Sequence, residues 1–228
     1  LETVDCNHRL DQALVDFFAY LDKTIGNGNY LTFLTADHGA VNNAAFLQDQ
    51  RIPAGIWNGK SMVKELNQEL KAKFNTDKDL VMTIMNYQVF FHTAAIEEAG
   101  LDYAAVKQVV VNRLKKEKIV HYAFDMEKTS TESIPEQLKF RAINGYNRER
   151  SGGVQIVLKP AHYEYDVAKG TSHGAWNPYD IHIPLVFMGW HIQHGATTQP
   201  HYMTDIAATV SALLHIQAPN GCIGTPIF

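Results

Sequence analysis

The stretch YLTFLTADHGA, residues 30–40, decides how this chain is read. Its first part is a run of apolar, β-branched and aromatic residues, which reads as a strand. It then stops abruptly at Asp37, His38 and Gly39. Ionisable groups at the mouth of a core strand are costly unless something there uses them. A second stretch, KGTSHGAWNPYDIHIPLVFMGW over residues 169–190, repeats the arrangement: a polar, glycine-rich loop carrying His173 and Gly174 beside an apolar strand of the buried type. Two loops next to two core strands, each with a His-Gly step, are able to converge on one site.

Outward from these two stretches, strands and helices interleave. Leu10, Leu14, Phe17, Phe18 and Leu21 fall at helical spacing, with Gly26 and Gly28 ending that helix. Residues 59–74 repeat the helical period, and residues 80–92 read as two strands folded at Asn86-Tyr87. A helix broken at Gly100 covers 97–116, a strand 119–124, a short helix 135–143, a strand 152–158 and a last helix 202–216. This alternation predicts an α/β fold with a mainly parallel sheet. Residues 1–42 and 164–228 are expected to belong to its core, and residues 43–163 to form an inserted α/β lobe. The strands between 60 and 124 are expected to form a sheet of their own, because they are short and locally connected.

With 46% hydrophobic and 19% charged residues in 228, the chain has the composition of a globular protein. A formal net charge of -4 argues against a nucleic-acid partner, which calls for a basic face. No apolar run reaches membrane-spanning length. Cys6 and Cys222 lie at opposite ends and read as two unpaired residues rather than a bridge. The opening Leu1-Glu2-Thr3 has neither an initiator Met nor a signal segment, so the chain is expected to be processed or part of something longer.

Asp37 and His38 supply a carboxylate oxygen and an imidazole nitrogen, donors suited to Zn²⁺ or a similar divalent ion. Alone, the pair reads more readily as a cap and a core histidine; His173 in the matching loop turns the balance toward a metal. His182 is a candidate partner for a ligand, with a structural role the stronger reading. Trp57 and Trp176 are candidates for a pocket mouth, and Lys169 and Arg148 for attracting an anion. Residues 144–147 read as a turn before a substrate contact.

The combination of LTADHGA, GTSHG and YDIHIPLVFMGW, with NGYNRERSGGVQIVLKPAHY, the helix RLDQALVDFFAYLD and the closing DIAATVSALLHIQAPNGCIGTPI, resembles the alkaline phosphatase superfamily. Within it, the chain is most similar to bacterial phosphate-irrepressible alkaline phosphatases of the type I phosphodiesterase and nucleotide pyrophosphatase group. The resemblance implies the C-terminal part of a three-layer α/β sandwich in a two-zinc hydrolase of phosphate monoesters, working through a phosphoenzyme. It implies that Asp37 and His38 bind the metal that activates the nucleophile, and that His173 binds the other. The family's Thr or Ser nucleophile, its remaining metal ligands and the groups holding the phosphoryl oxygens have no match here. Asp5 and His8 have the wrong spacing and read as helix-start residues. The resemblance therefore implies an inactive C-terminal part, completed by a missing N-terminal half, acting on a small phosphate ester in the periplasm or outside the cell. A phosphodiesterase or nucleotide pyrophosphatase, and a non-catalytic binding module on the same scaffold, are the alternatives.

Overall fold

The computed structural model describes residues 2–165, 170–174 and 176–228. In chain order these form α1 (Glu2–Thr24), β1 (Leu31–Thr35), α2 (Ala44–Asp49), β2 (Gly55–Trp57), α3 (Gly59–Phe74), β3 (Val81–Met85), β4 (Gln88–Phe91), α4 (Thr93–Glu98), α5 (Tyr103–Leu114), β5 (Val120–Asp125), α6 (Glu136–Gly145), β6 (Val154–Leu158), β7 (His162–Glu164), α7 (Pro178–Ile181), β8 (Leu185–Gly189) and α8 (Thr204–Leu213). A 3₁₀ turn, Met126–Thr131, links β5 to α6. The chain divides into two compact units, one of residues 1–35 and 184–228, the other of residues 36–183.

The unit of residues 36–183 is built on a four-stranded sheet in the order β3-β4-β6-β5. The Asn86-Tyr87 hairpin forms as expected, and both residues have positive φ (50° and 60°), the backbone of a two-residue type I′ turn. Helices α3 and α5 cover the sheet. The Asn58 side chain accepts from the Ser61 N–H at the start of α3, and Asp102 accepts from Ala104 and Ala105 at the start of α5. Their inner faces bury Leu66, Leu70, Val106, Val110 and Leu114 against Leu80, Val89 and Ile156. Gly100, at φ +66°, separates α4 from α5 where the helix was expected to break. A second, small sheet pairs β2 with β7, and Val41, Ala44 and Leu47 pack there with Tyr163.

The unit of residues 36–183 also contains an ion cluster, between α5 and the end of β5, with no counterpart in the sequence reading. Lys107 is buried, with its Nζ 2.8 Å from Asp125 Oδ1 and 2.5 Å from Glu127 Oε2. Burial alone would lower the lysine pKa. The hydrogen bonds that Lys107 donates to the two carboxylates outweigh it and hold the pKa above its ordinary value.

The unit of residues 1–35 and 184–228 contains α1, α8 and a two-stranded ribbon of β1 and β8 paired from Leu31↔Gly189 to Thr35↔Leu185. Asp205 fastens the chain end: its carboxylate accepts from the Tyr202 and Thr225 N–H groups, and the Thr209 hydroxyl accepts from Ile227 N–H.

Two expectations need correction. Among the described strands only β2 and β7 pair in parallel; β1–β8, β3–β4, β4–β6 and β5–β6 are all antiparallel. The fold is α/β, but its sheets are mixed and mostly antiparallel. Alternation of strands and helices fixes element order, not strand direction, and a two-residue hairpin such as that at Asn86 permits only antiparallel pairing. Second, β1 and β8 read as buried strands, yet Phe33, Leu34 and Val186 are 48%, 52% and 53% exposed. A two-stranded ribbon has too little surface to cover both of its own faces. Helix α1 likewise forms where its periodicity predicts, with no residue of it buried.

Candidate metal centre

Asp37, His38 and His173 all lie in the unit of residues 36–183, in the loop after β1 and in the loop between β7 and α7. The structure brings them together. The imidazoles of His38 and His173 stack with centroids 3.6 Å apart and planes inclined by 22°. Asp37 turns back on its neighbour: Oδ1 accepts from the His38 backbone N–H at 3.0 Å, and Oδ2 lies 3.5 Å from His38 Nε2.

The two histidines are held alike. His38 Nδ1 is 2.7 Å from the Gly39 carbonyl oxygen, and His173 Nδ1 is 3.1 Å from the Gly174 carbonyl oxygen. A carbonyl only accepts, so each Nδ1 carries a proton, and in the neutral imidazole Nε2 is then the nitrogen with the lone pair. That is the tautomer a metal-binding imidazole uses, with the other nitrogen anchored to a backbone oxygen.

The spacing also fits. Two donors each about 2.0–2.2 Å from one tetrahedral ion stand about 3.4 Å apart. The 3.5 Å between Asp37 Oδ2 and His38 Nε2 matches that separation and is long for a direct hydrogen bond. The two stacked rings behave differently. An imidazole donates in its own plane, and two near-parallel rings with centroids 3.6 Å apart direct their lone pairs side by side rather than toward each other. Among the described residues no group of three or more His, Cys, Asp or Glu is placed to hold a single ion.

The loops are tied to each other. Val41 N–H donates to the Ser172 carbonyl at 3.2 Å, the Thr171 hydroxyl donates to the Val41 carbonyl, and Asn43 Nδ2 donates to the Gly170 carbonyl at 2.5 Å. The Thr171 hydroxyl is thereby committed to the backbone. The Tyr87 hydroxyl donates to the His173 carbonyl at 2.8 Å and accepts from Glu164 N–H at 3.0 Å. Burial, chiefly, pushes the Tyr87 pKa up to about 12, so the hydroxyl stays a donor. Residue 87 had been read only as part of a turn; its side chain reaches from the hairpin tip to the backbone of a candidate ligand.

Other singled-out residues fall elsewhere. Trp57 is buried in the core beside Met62 and is no pocket rim. Trp176 is half-buried with its ring near those of His121 and Tyr122, and its buried Nε1 has no hydrogen-bond partner among the described residues. His182 is exposed at the end of α7. Asn147 makes a turn, its Oδ1 accepting from Glu149 N–H, and Arg148 is exposed. Asp5 pairs with Arg9 one turn along α1, as a helix-start residue does. Cys6 and Cys222 are both free. Lys169 lies outside the described residues.

A sequence profile described as type I phosphodiesterase / nucleotide pyrophosphatase matches residues 4–180. The chain belongs to that family, within the alkaline phosphatase superfamily. Over all of its length it is 47% identical to the alkaline phosphatase PafA of Elizabethkingia meningoseptica, spanning 41% of that protein. A crystal structure of wild-type alkaline phosphatase PafA superposes with a TM-score of 0.92 over 96% of the chain and 41% of that structure, at 47% identity. Alkaline phosphatase PhoV of Synechococcus elongatus is 46% identical over the whole chain and 40% of its own length. A Myroides odoratus protein named a calcium-transporting ATPase is 44% identical over 41% of its length. The chain thus spans about two-fifths of the relatives it matches in this phosphodiesterase family.

Proposed function

We propose that this chain is the C-terminal, metal-binding part of a phosphate-monoester hydrolase. The observation that carries the reading is the convergence of Asp37, His38 and His173, with both imidazoles anchored through Nδ1 and both Nε2 lone pairs left to donate. Similarity to proteins named alkaline phosphatases supports the substrate class. Asp37 and His38 hold one divalent ion and His173 a second; zinc suits the mixed carboxylate and imidazole donors. A pair of ions held there would supply positive charge to stabilise a displacement at phosphorus. The chain's own contribution is to fix the donors before metal arrives. The Gly39 and Gly174 carbonyls orient the rings, and Tyr87 holds the backbone of His173.

The nucleophile and the remaining ligands come, in this proposal, from an N-terminal part of a longer protein. The half-exposed apolar faces of β1 and β8 and the unburied α1 support it, because continuous apolar strands are built to be covered on both sides. In that protein, residues 1–42 and 164–228 belong to the α/β core and 43–163 to an inserted lobe. The self-contained four-stranded sheet within residues 81–158 favours a separate lobe, and the compact unit around it, residues 36–183, is wider than these bounds. The working compartment is periplasmic or extracellular. No helix among the described residues is long and apolar enough to cross a membrane.

The test is hydrolysis of an aryl phosphate with added zinc. The longer protein turns it over, Asp37→Ala and His38→Ala each remove most of the rate, and the 228-residue chain alone is negligibly active. Turnover by the chain at the parent's rate defeats the assignment of the nucleophile elsewhere. The family description itself favours a second reading, a phosphodiesterase or nucleotide pyrophosphatase. A bis-aryl phosphate hydrolysed faster than the monoester would select it.

A further inference from the structure

Asp180 is 2% exposed, and no Lys or Arg pairs with its side chain among the described residues. A buried carboxylate without a cation is expensive, so the donors it does have carry weight. They come from the candidate metal centre. The Asp180 backbone carbonyl accepts from Gly39 N–H at 2.8 Å, and its Oδ1 accepts from Gly174 N–H at 2.7 Å. Asn177 Nδ2 lies 3.4 Å from Oδ2. One residue thus binds the peptide that follows His38 and the peptide that follows His173.

The two glycines belong to the same contact. A Cβ on Gly39 would lie 2.0 Å from the Tyr179 carbonyl oxygen, and a Cβ on Gly174 would lie 2.7 Å from Asp180 Oδ2. Each His-Gly step presses its glycine against α7, Gly39 on backbone and Gly174 on the Asp180 carboxylate, so a Cβ at either position requires the contact to shift. The carbonyls that orient the two imidazoles belong to these same two glycines, one peptide on from the N–H groups from which Asp180 accepts. Whatever fixes these peptides fixes the rings.

We infer that Asp180 is a positioning residue, tying both His-Gly loops to one helical turn and so setting the spacing of the His38 and His173 rings. Its consequence for metal binding rests on the reading of those imidazoles as ligands; the tie itself does not. Supporting groups of this kind typically change metal affinity about 10- to 100-fold when removed.

The test follows the imidazole resonances of the full chain by NMR, first with metal removed and then during a Zn²⁺ titration. The native chain gives a cross-peak between the His38 and His173 rings. Asp180→Asn keeps an acceptor for Gly174 N–H and is expected to keep both the cross-peak and the zinc affinity. Asp180→Leu, of similar volume but with no acceptor, is expected to lose the cross-peak and to bind zinc at least 10-fold more weakly. If that variant does not fold, Gly174→Ala forces the same contact apart and must show the same loss. A cross-peak and affinity unchanged in Asp180→Leu, or in Gly174→Ala standing in for it, overturn the inference. If the native chain ignores zinc while the cross-peak still depends on Asp180, the tie stands, and the metal reading is decided by the same titration on the longer protein that supplies the remaining ligands.

Discussion

Replacing Gly39 with Ala tests how rigidly the first His-Gly loop is seated. The added methyl would meet the Tyr179 carbonyl oxygen at 2.0 Å, and an ordinary contact begins at 3.4 Å, so loop and turn must separate by about 1.4 Å. That movement carries Gly39 N–H out of reach of the Asp180 carbonyl, now 2.8 Å away. The lost hydrogen bond costs about 1 kcal/mol. Rearranging packed backbone costs a further 1–3 kcal/mol or so. The sum, roughly 2–4 kcal/mol, corresponds to a fall of roughly 5–15 °C in the unfolding midpoint of a unit this size. Thermal unfolding followed by circular dichroism reads it. Gly145→Ala is the control, since a Cβ there meets nothing within 4 Å and φ is not positive. A Gly39→Ala midpoint within about 1 °C of the native and control proteins would show that the loop is not seated against α7 and would refute the reasoning.

Two further outcomes follow from the same unit. Tyr87→Phe removes the hydroxyl that serves His173 and Glu164; urea unfolding should show a loss of about 1–3 kcal/mol, and no loss would mean the two backbone groups find other partners. The Glu127 carboxyl is held below its ordinary value of 4.5, first by its hydrogen bond from Lys107. Its stabilisation is therefore present above pH 4.5 and lost as pH falls through the lower folded-state pKa. Glu127→Gln should flatten the acid limb of a stability–pH curve measured by urea midpoints, and an unchanged limb contradicts the pairing.

The parts of this structure legible from sequence are those set by local chemistry. The Asn86-Tyr87 hairpin, the α3 helix and the break at Gly100 each follow from turn residues or a 3.6-residue period. The direction of strand pairing was not legible, because β5 and β6 pair antiparallel across an intervening helix and nothing in their residues distinguishes that from a parallel crossover. The apolar runs of β1 and β8 report the environment the strands are built for, and the ribbon they form leaves them half-exposed. In the candidate site, the repeated His-Gly step pointed to His38 and His173 and the superfamily resemblance paired them. Asp180 left no such mark: an Asp three residues after Asn177, next to a Pro, is an ordinary helix-start pattern. Tyr87 was hidden in the same way, since a turn residue advertises its backbone and not where its hydroxyl reaches.

The most direct measurement for the central claim is anomalous diffraction at the zinc edge from crystals of the longer protein grown with Zn²⁺. The account predicts two peaks roughly 4 Å apart. One lies about 2.0–2.2 Å from both Asp37 Oδ2 and His38 Nε2, the other about 2.0–2.1 Å from His173 Nε2. A single ion shared by the two rings, or zinc bound away from all three side chains, would contradict it.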